Sequence, residues 1–277
     1  MSSMRSYESQ LASCGLCPND ERQTIPSSSP PEVHQRTRIR LPSSLCKPSL
    51  RTYFDWDDSG NDDYAKRPAL LDLFAGGGGA AMGYYLAGFR VVGIDNRLQP
   101  HYPFEFYQAN ALEFPLGGYD AYHASPPCQG YSRAFSMLVG HRKSHPLLIK
   151  PIRERLIQTG KPFVIENVVG SETEDYIQLE GTMFGLEVKK VRNFELHGFD
   201  ILLLPAKPDN TRGWIKNGRL VGMMQHTNYP KERVSRQELA TAYGIDWCSN
   251  RQELRDAIPP AYTEYIGKYL LKALEVK

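Results

Sequence analysis

Three short stretches hold the residue types that could do chemistry together. The first, His123-Ala124-Ser125-Pro126-Pro127-Cys128-Gln129, presents a thiol behind two prolines. A thiolate is a soft nucleophile, and a stiffened approach lowers the cost of reaching an attack geometry, although a lone Cys after an apolar run also serves as core filler. The second, Val164-Ile165-Glu166-Asn167-Val168, closes an apolar run with Glu and Asn. Apolar neighbours would raise the pKa of Glu166 and suit it to general acid work; otherwise it is a strand terminus or a helix cap. The third is Gly76-Gly77-Gly78-Gly79, with Asp95 standing 17 residues after Gly78. Such a loop lets backbone approach a ligand, and a carboxylate at that distance accepts hydrogen bonds from both hydroxyls of a ribose. Gly76-x-Gly78-x-x-Ala81 also fits the dinucleotide fingerprint. On these residues a hydride-transfer enzyme, a methyltransferase using S-adenosylmethionine and a purely geometric turn all stay open.

The surrounding pattern says what must position these groups. From Ala69 onward, short apolar runs alternate with Gly, Asp and Pro punctuation, which reads as buried strands alternating with helices. Strands are expected at Ala69 to Phe74, Arg90 to Ile94, Ala121 to Ala124 and Phe163 to Val168, with a helix from Ala80 to Ala87. Pro146 to Thr159 has helical spacing through Leu148, Ile152, Leu156 and Ile157, and Pro151 should kink this helix or mark its true start. The expected fold is a Rossmann-like, doubly wound α/β sheet, mostly parallel, whose ligand lies beyond the carboxyl ends of the strands. All three chemical stretches fall at such ends.

In these motifs the sequence resembles the DNA cytosine methyltransferases that act at carbon 5, over roughly residues 69 to 271, and its short architecture is similar to compact bacteriophage methylases. Asp72-Leu73-Phe74-Ala75-Gly76-Gly77-Gly78-Gly79 resembles the family's first motif and Gly93-Ile94-Asp95 its second. Pro126-Pro127-Cys128-Gln129 resembles the nucleophile motif and Glu166-Asn167-Val168 the Glu-Asn-Val motif. Lys190-Val191-Arg192-Asn193-Phe194 stands where the family has Gln-x-Arg-x-Arg. Asp256-Ala257-Ile258-Pro259-Pro260, followed by Tyr265-Ile266-Gly267, is similar to the last motif, which returns to complete the cofactor pocket. The resemblance implies Cys128, Glu166 and Arg192 as catalytic residues. It implies Phe74, Gly76, Gly78, Asp95 and Asn110 as contacts for S-adenosyl-L-methionine, Gln129 and Asn167 as substrate contacts, and no metal. In that chemistry Cys128 adds to carbon 6 of cytosine, Glu166 handles a proton at ring nitrogen 3, and Arg192 binds the ring carbonyl oxygen. The base must be flipped out of a duplex or presented single-stranded.

The sequence departs from the family pattern at three positions. Asn110 stands for the Asp that binds the adenine amino group, Lys190 for the first Arg of the later motif and Asp256 for an Asn. Asn can still accept through its carbonyl oxygen, whereas Lys cannot reproduce the planar fork of Arg. Residues 68–198 and 255–277 are expected to form the catalytic domain, and 199–254 a small target-recognition region. The segment from Gly130 to His145 matches the family's closing loop in position. Its Arg133, Arg142 and Lys143, with His141 and His145 beside them and Gly130 and Gly140 as hinges, are expected to meet phosphate. A DNA substrate is the leading expectation; an RNA cytosine methyltransferase and a non-catalytic cofactor or nucleic-acid binding protein are the alternatives.

Composition bounds the rest. A formal charge of +2 confines any nucleic-acid site to a patch. There is no run of apolar residues long enough for a membrane span, and the amino terminus lacks the apolar stretch of a secretory signal. The expectation is an intracellular monomer without membrane association, cytoplasmic in a prokaryote or infected cell and nuclear in a eukaryote. Residues 1–67 hold 12 Ser and six Pro without sustained apolar periodicity, which reads as a disordered tail. Cys14 and Cys17 with His34 and Cys46 are spaced unlike a zinc module, and five scattered Cys are no disulfide framework.

Overall fold

Strands β1 (Ala69–Leu73), β2 (Arg90–Asp95), β3 (Glu105–Gln108), β4 (Ala121–Ala124), β5 (Phe163–Asn167), β6 (Tyr176–Leu179) and β7 (Arg192–His197) form one sheet in the order β3-β2-β1-β4-β5-β7-β6. The computed structural model of the chain describes residues 62–131, 146–206, 214–216, 219–221 and 235–276. β1 to β5 run parallel, and β7 is antiparallel to both β5 and β6. The central strands β1, β4 and β5 are buried at every position, as parallel strands covered on both faces require. Helices α1 (Asp62–Lys66), α2 (Gly79–Ala87), α3 (Ile149–Ile157), α4 (Arg236–Tyr243), α5 (Arg251–Asp256) and α6 (Pro260–Glu275) complete the described elements, with a separate hairpin of β8 (Trp214–Lys216) and β9 (Arg219–Val221).

Alternation along each strand sorts the core into two layers. On one face Leu70, Val91 and Val164 pack with Tyr84 of α2 and with Tyr262, Ile266 and Leu270 of α6. On the other Leu71, Val92, Tyr122 and Ile165 pack with Ile149, Ile152 and Leu156 of α3. The α2 and α6 backbones approach closely because Gly83 has no side chain: a Cβ there would stand 2.1 Å from Thr263 Oγ1 and 2.2 Å from the Pro260 carbonyl oxygen. Thr263 Oγ1 donates to the Ala80 carbonyl at 2.8 Å, so the carboxyl-terminal segment does return beside the glycine loop. On β7, Glu195 takes Arg153 of α3 in a two-point ion pair at 2.6 and 2.7 Å, and thereby fixes the sheet's antiparallel edge to α3.

The doubly wound α/β architecture is as expected, with differences at its ends. β1 stops at Leu73 because Phe74 takes a left-handed φ of 62°. Pro151 lies in the first turn of α3, where a missing N–H leaves no hydrogen bond unmade. Ahead of the boundary expected at residue 67, α1 is helical, and Tyr64 packs on Tyr85 with its hydroxyl accepting the Val91 N–H at 3.4 Å. Residues 1–61, with Cys14, Cys17, His34 and Cys46, lie outside the described residues.

Candidate active site

The register of the sheet brings the catalytic candidates together. Ala124 pairs with Ile165, so the residue leaving β4, Ser125, stands level with Glu166, and Glu166 pairs in turn with Phe194 of β7. Beyond Ser125, the two prolines lead into a 3-10 turn, Cys128–Gly130. Glu166 is buried, and its Oε1 lies 3.0 Å from Arg192 Nε. Burial raises the Glu166 pKa, while the Arg192 charge and a hydrogen bond from Ser125 oppose the rise. The Cys128 thiol is also pushed up by burial, with Arg192 lowering it and Glu166 and Asp256 raising it. Thiol, carboxyl and guanidinium therefore share one electrostatic environment.

Asn167 is buried, its amide donates to the Pro126 carbonyl at 2.9 Å, and its own carbonyl oxygen accepts the Val168 N–H. It ties β5 to the proline turn that presents Cys128. Gln129 lies exposed on that turn. Arg133, Arg142 and Lys143 lie outside the described residues.

Lys190 forms a further tie. Its Nζ donates to the carbonyls of Arg255 at 2.6 Å and Asp256 at 3.1 Å, and lies 5.1 Å from the centre of the Tyr243 ring. Burial first, then Arg192, lowers its pKa to about 7. A flexible ammonium reaching two backbone carbonyls does not need the planar fork of Arg, and here it ties the end of α5 to the segment just before β7.

At the other strand ends, Asp95 binds the glycine loop. Its Oδ2 accepts the Gly76 N–H at 3.0 Å and its Oδ1 the Arg97 N–H at 2.9 Å. Each carboxylate oxygen keeps a lone pair for a ribose hydroxyl. A Cβ at Gly76 would meet no atom within 4 Å, and no side chain caps the start of α2 after Gly78, whose φ is 82°. Phe74, strained and half-buried, leads the chain from β1 into the same loop. A nucleoside with an anionic tail suits this donor and acceptor set. Asn110 is exposed; its carbonyl oxygen accepts the Leu112 N–H and its amide donates to Glu113, which leaves one lone pair for an amino group.

Residues 235–254, expected within a recognition lobe, pack on Val188 and reach the glycine loop. Leu239, Tyr243 and Leu254 of α4 and α5 share a core with Val188, and Trp247 Nε1 donates to the Gly77 carbonyl at 3.0 Å. Beside it, Glu253 Oε2 joins His101 Nδ1 at 3.0 Å and Cys248 Sγ at 3.2 Å. These atoms satisfy one another and brace the loop; burial and Glu253 push the Cys248 thiol up to about 12. The sequence placed Trp247 in the target-recognition region; its partner, 170 residues away, was not legible there. Sequence reasoning assigned no role to His123 and Ser125, although their i, i+2 spacing puts them on one face of β4.

No protein-family model matches the sequence and no curated protein does, so the likeness to known proteins is one of structure. A prophage-encoded E. coli chain described as a DNA modification methyltransferase superposes with a TM-score of 0.55 at 15% identity, covering 75% of this chain and 99% of that one. The Entamoeba histolytica methyltransferase EhMeth gives 0.51 at 14% identity, over 76% and 99%. The S. pombe Dnmt2 methyltransferase gives 0.50 at 15%, over 75% and 99%. The chain has the methyltransferase fold. Its catalytic candidates stand at the carboxyl edge of that sheet, with the glycine loop and Asp95 on the neighbouring strands.

Proposed function

We propose that this chain transfers a methyl group from S-adenosylmethionine to carbon 5 of cytosine in DNA, through a transient bond between Cys128 and carbon 6. The observation that carries the reading is the meeting of the Cys128 thiol with the Glu166–Arg192 pair at the strand ends beside Asp95. Carbon 5 of cytosine is too weak a nucleophile to take a methyl group unaided. Cys128 sulfur, losing its proton, forms the bond to carbon 6, and the ring's electrons move toward carbon 5. A protonated Glu166 gives its proton to ring nitrogen 3, and Arg192 binds the carbonyl oxygen on which negative charge collects. Asp95 and the glycine loop hold the ribose and tail of the cofactor, which supplies an electrophilic methyl group. Loss of the carbon 5 proton to solvent, departure of the Cys128 sulfur and return of the nitrogen 3 proton to Glu166 then regenerate the ring and the acid.

The target lobe falls to residues 199–234 in this reading, and phosphate contact to Arg133, Arg142 and Lys143. Methyl incorporation from labelled S-adenosylmethionine into DNA and RNA, with bisulfite sequencing of the DNA, tests the reaction and its substrate together. Cys128→Ser should fold and bind cofactor yet lose turnover, because a hydroxyl is almost wholly un-ionised near neutral pH. DNA containing 5-fluorocytosine should trap the normal enzyme, since fluorine does not leave as a proton. Near-native turnover by Cys128→Ser, or no adduct in denaturing gels, sinks the covalent step. Methylation of RNA with none of DNA moves the substrate.

A further inference from the structure

Behind Glu166 lies a line of buried polar side chains that the proposed reaction does not use. Asp72 and His123 are register partners on β1 and β4, and Tyr84 of α2 packs on the same face. His123 and Tyr84 are fully buried. Tyr84 Oη lies 3.0 Å from His123 Nδ1, and His123 Nε2 lies 2.8 Å from Ser125 Oγ. Ser125 stands level with Glu166 across the β4–β5 register and acts on its carboxyl as a hydrogen-bonding neighbour. Four side chains thus form one chain from the interior of the sheet to the site.

The chain has a direction. Among the described residues, the Tyr84 hydroxyl has one hydrogen-bond partner, His123 Nδ1. A buried O–H that does not donate forfeits a hydrogen bond, so Tyr84 donates and Nδ1 accepts. Burial holds the His123 pKa down to about 3, so the ring carries a single proton, and that proton is on Nε2. The Nε2–H donates to Ser125 Oγ, which leaves the Ser125 hydroxyl proton for Glu166. Each link follows from the one behind it.

We propose that Tyr84, His123 and Ser125 are positioning residues that commit the Ser125 hydroxyl as a donor to Glu166, stabilising its carboxylate and so making it a readier proton donor to the substrate ring. The inference rests on the reading of Glu166 as the acid. The other charged and titratable groups facing Glu166 are Arg192 and Lys190 from the β7 side, Cys128 from the turn after β4 and Tyr262 of α6, with Asp256 facing Cys128 and Lys190. Asp72 lies beside the buried end of the chain. No bond to carbon changes and no proton is gained or lost in setting the chain; it fixes only which partner donates.

Nuclear magnetic resonance on the full chain tests this without any turnover. The 15N shifts of His123 should show the Nε2–H tautomer, uncharged from pH 5 to 9, and Tyr84→Phe should raise the share of the Nδ1–H form. The 13C-detected titration of Glu166 should move upward by about one pH unit in Ser125→Ala, the value of one lost hydrogen bond, and return in Ser125→Thr, which keeps the hydroxyl. In methyl transfer, the pH at which the rate falls on the alkaline side should rise with it. An Nδ1–H or charged His123 in the unaltered chain overturns the proposal even if Ser125→Ala does not fold, and so does a Glu166 midpoint that ignores the loss of the hydroxyl. The expected tautomer and midpoints in a chain that methylates no cytosine would uphold the hydrogen-bond direction while removing the reaction it serves.

Discussion

At the scale of single residues, burial governs the electrostatics of this site. Asp72, in the middle of the parallel sheet, is 1% exposed, and only its Oδ2 finds a partner among the described residues, the Tyr102 hydroxyl. Desolvation raises its pKa from 3.8 to about 8. In the unfolded chain this carboxyl ionises near pH 4, whereas in the folded protein it holds its proton to about 8. Between these values the folded state binds the extra proton, so stability falls as pH rises through the window. Asp72→Asn has no proton to lose there. Its stability relative to the unaltered protein should therefore improve steadily from pH 4 to pH 8, which urea unfolding at several pH values can measure. A difference that does not vary with pH would mean that Asp72 ionises at its ordinary value. Near Glu166 the same desolvation is offset by Arg192 and Ser125, and this difference in neighbours separates a group kept neutral from one able to exchange a proton.

At the scale of elements, the α2–α6 pair connects the cofactor loop to the carboxyl terminus. Ala in place of Gly stabilises an exposed helix by about 1 kcal/mol. At Gly83 the sign should reverse, because the new methyl group would meet the Pro260 carbonyl and Thr263; both are held by α6 and cannot move aside alone. Gly83→Ala should cost roughly 1–3 kcal/mol through overpacking, and should weaken cofactor binding by disturbing the start of α2. Denaturant midpoints and calorimetry with S-adenosylmethionine check both effects. Unchanged or increased stability would show that the helices separate freely. The Trp247 hydrogen bond to Gly77 holds the same loop from the segment between α4 and α5, and the Lys190 bonds to Arg255 and Asp256 hold the end of α5.

At the scale of the whole molecule, the boundary of the folded body is a testable quantity. Arg67 lies over the rings of Tyr64 and Tyr85 at 5.5 and 5.3 Å, and Tyr64 reaches β2 through Val91. Truncation before residue 62 should leave thermal stability and methyl transfer to short DNA nearly unchanged, since the removed segment contains none of the site residues. Truncation before residue 68 should lower stability by roughly 1–3 kcal/mol, the worth of a large side chain's burial. Thermal melts of both forms at equal salt decide; equal stability would place the edge of the fold at residue 67 after all, and loss of turnover in the first form would make residues 1–61 part of the enzyme.

How much of this was legible in the sequence depends on the range of the interactions. The glycine loop, the strand ends at Asp95 and Glu166, and the prolines before Cys128 are local patterns, because a strand's period and a turn's residue types are set by a few neighbouring side chains. From them followed the doubly wound α/β fold and the placing of Cys128, Glu166 and Asp95 at one edge. Pairings across long stretches of chain were not legible, since the sequence carries no record of which distant segment covers a given face. The tertiary structure alone decided that Asn167 holds the Pro126 turn, that Trp247 closes on Gly77, and that α4 and α5 pack on Val188. It also decided that a parallel register sets His123 beside Asp72 and Ser125 level with Glu166. Residue type and spacing determined which groups the chain has at the ends of its strands; packing determined which of them are buried, which donate, and toward which partner.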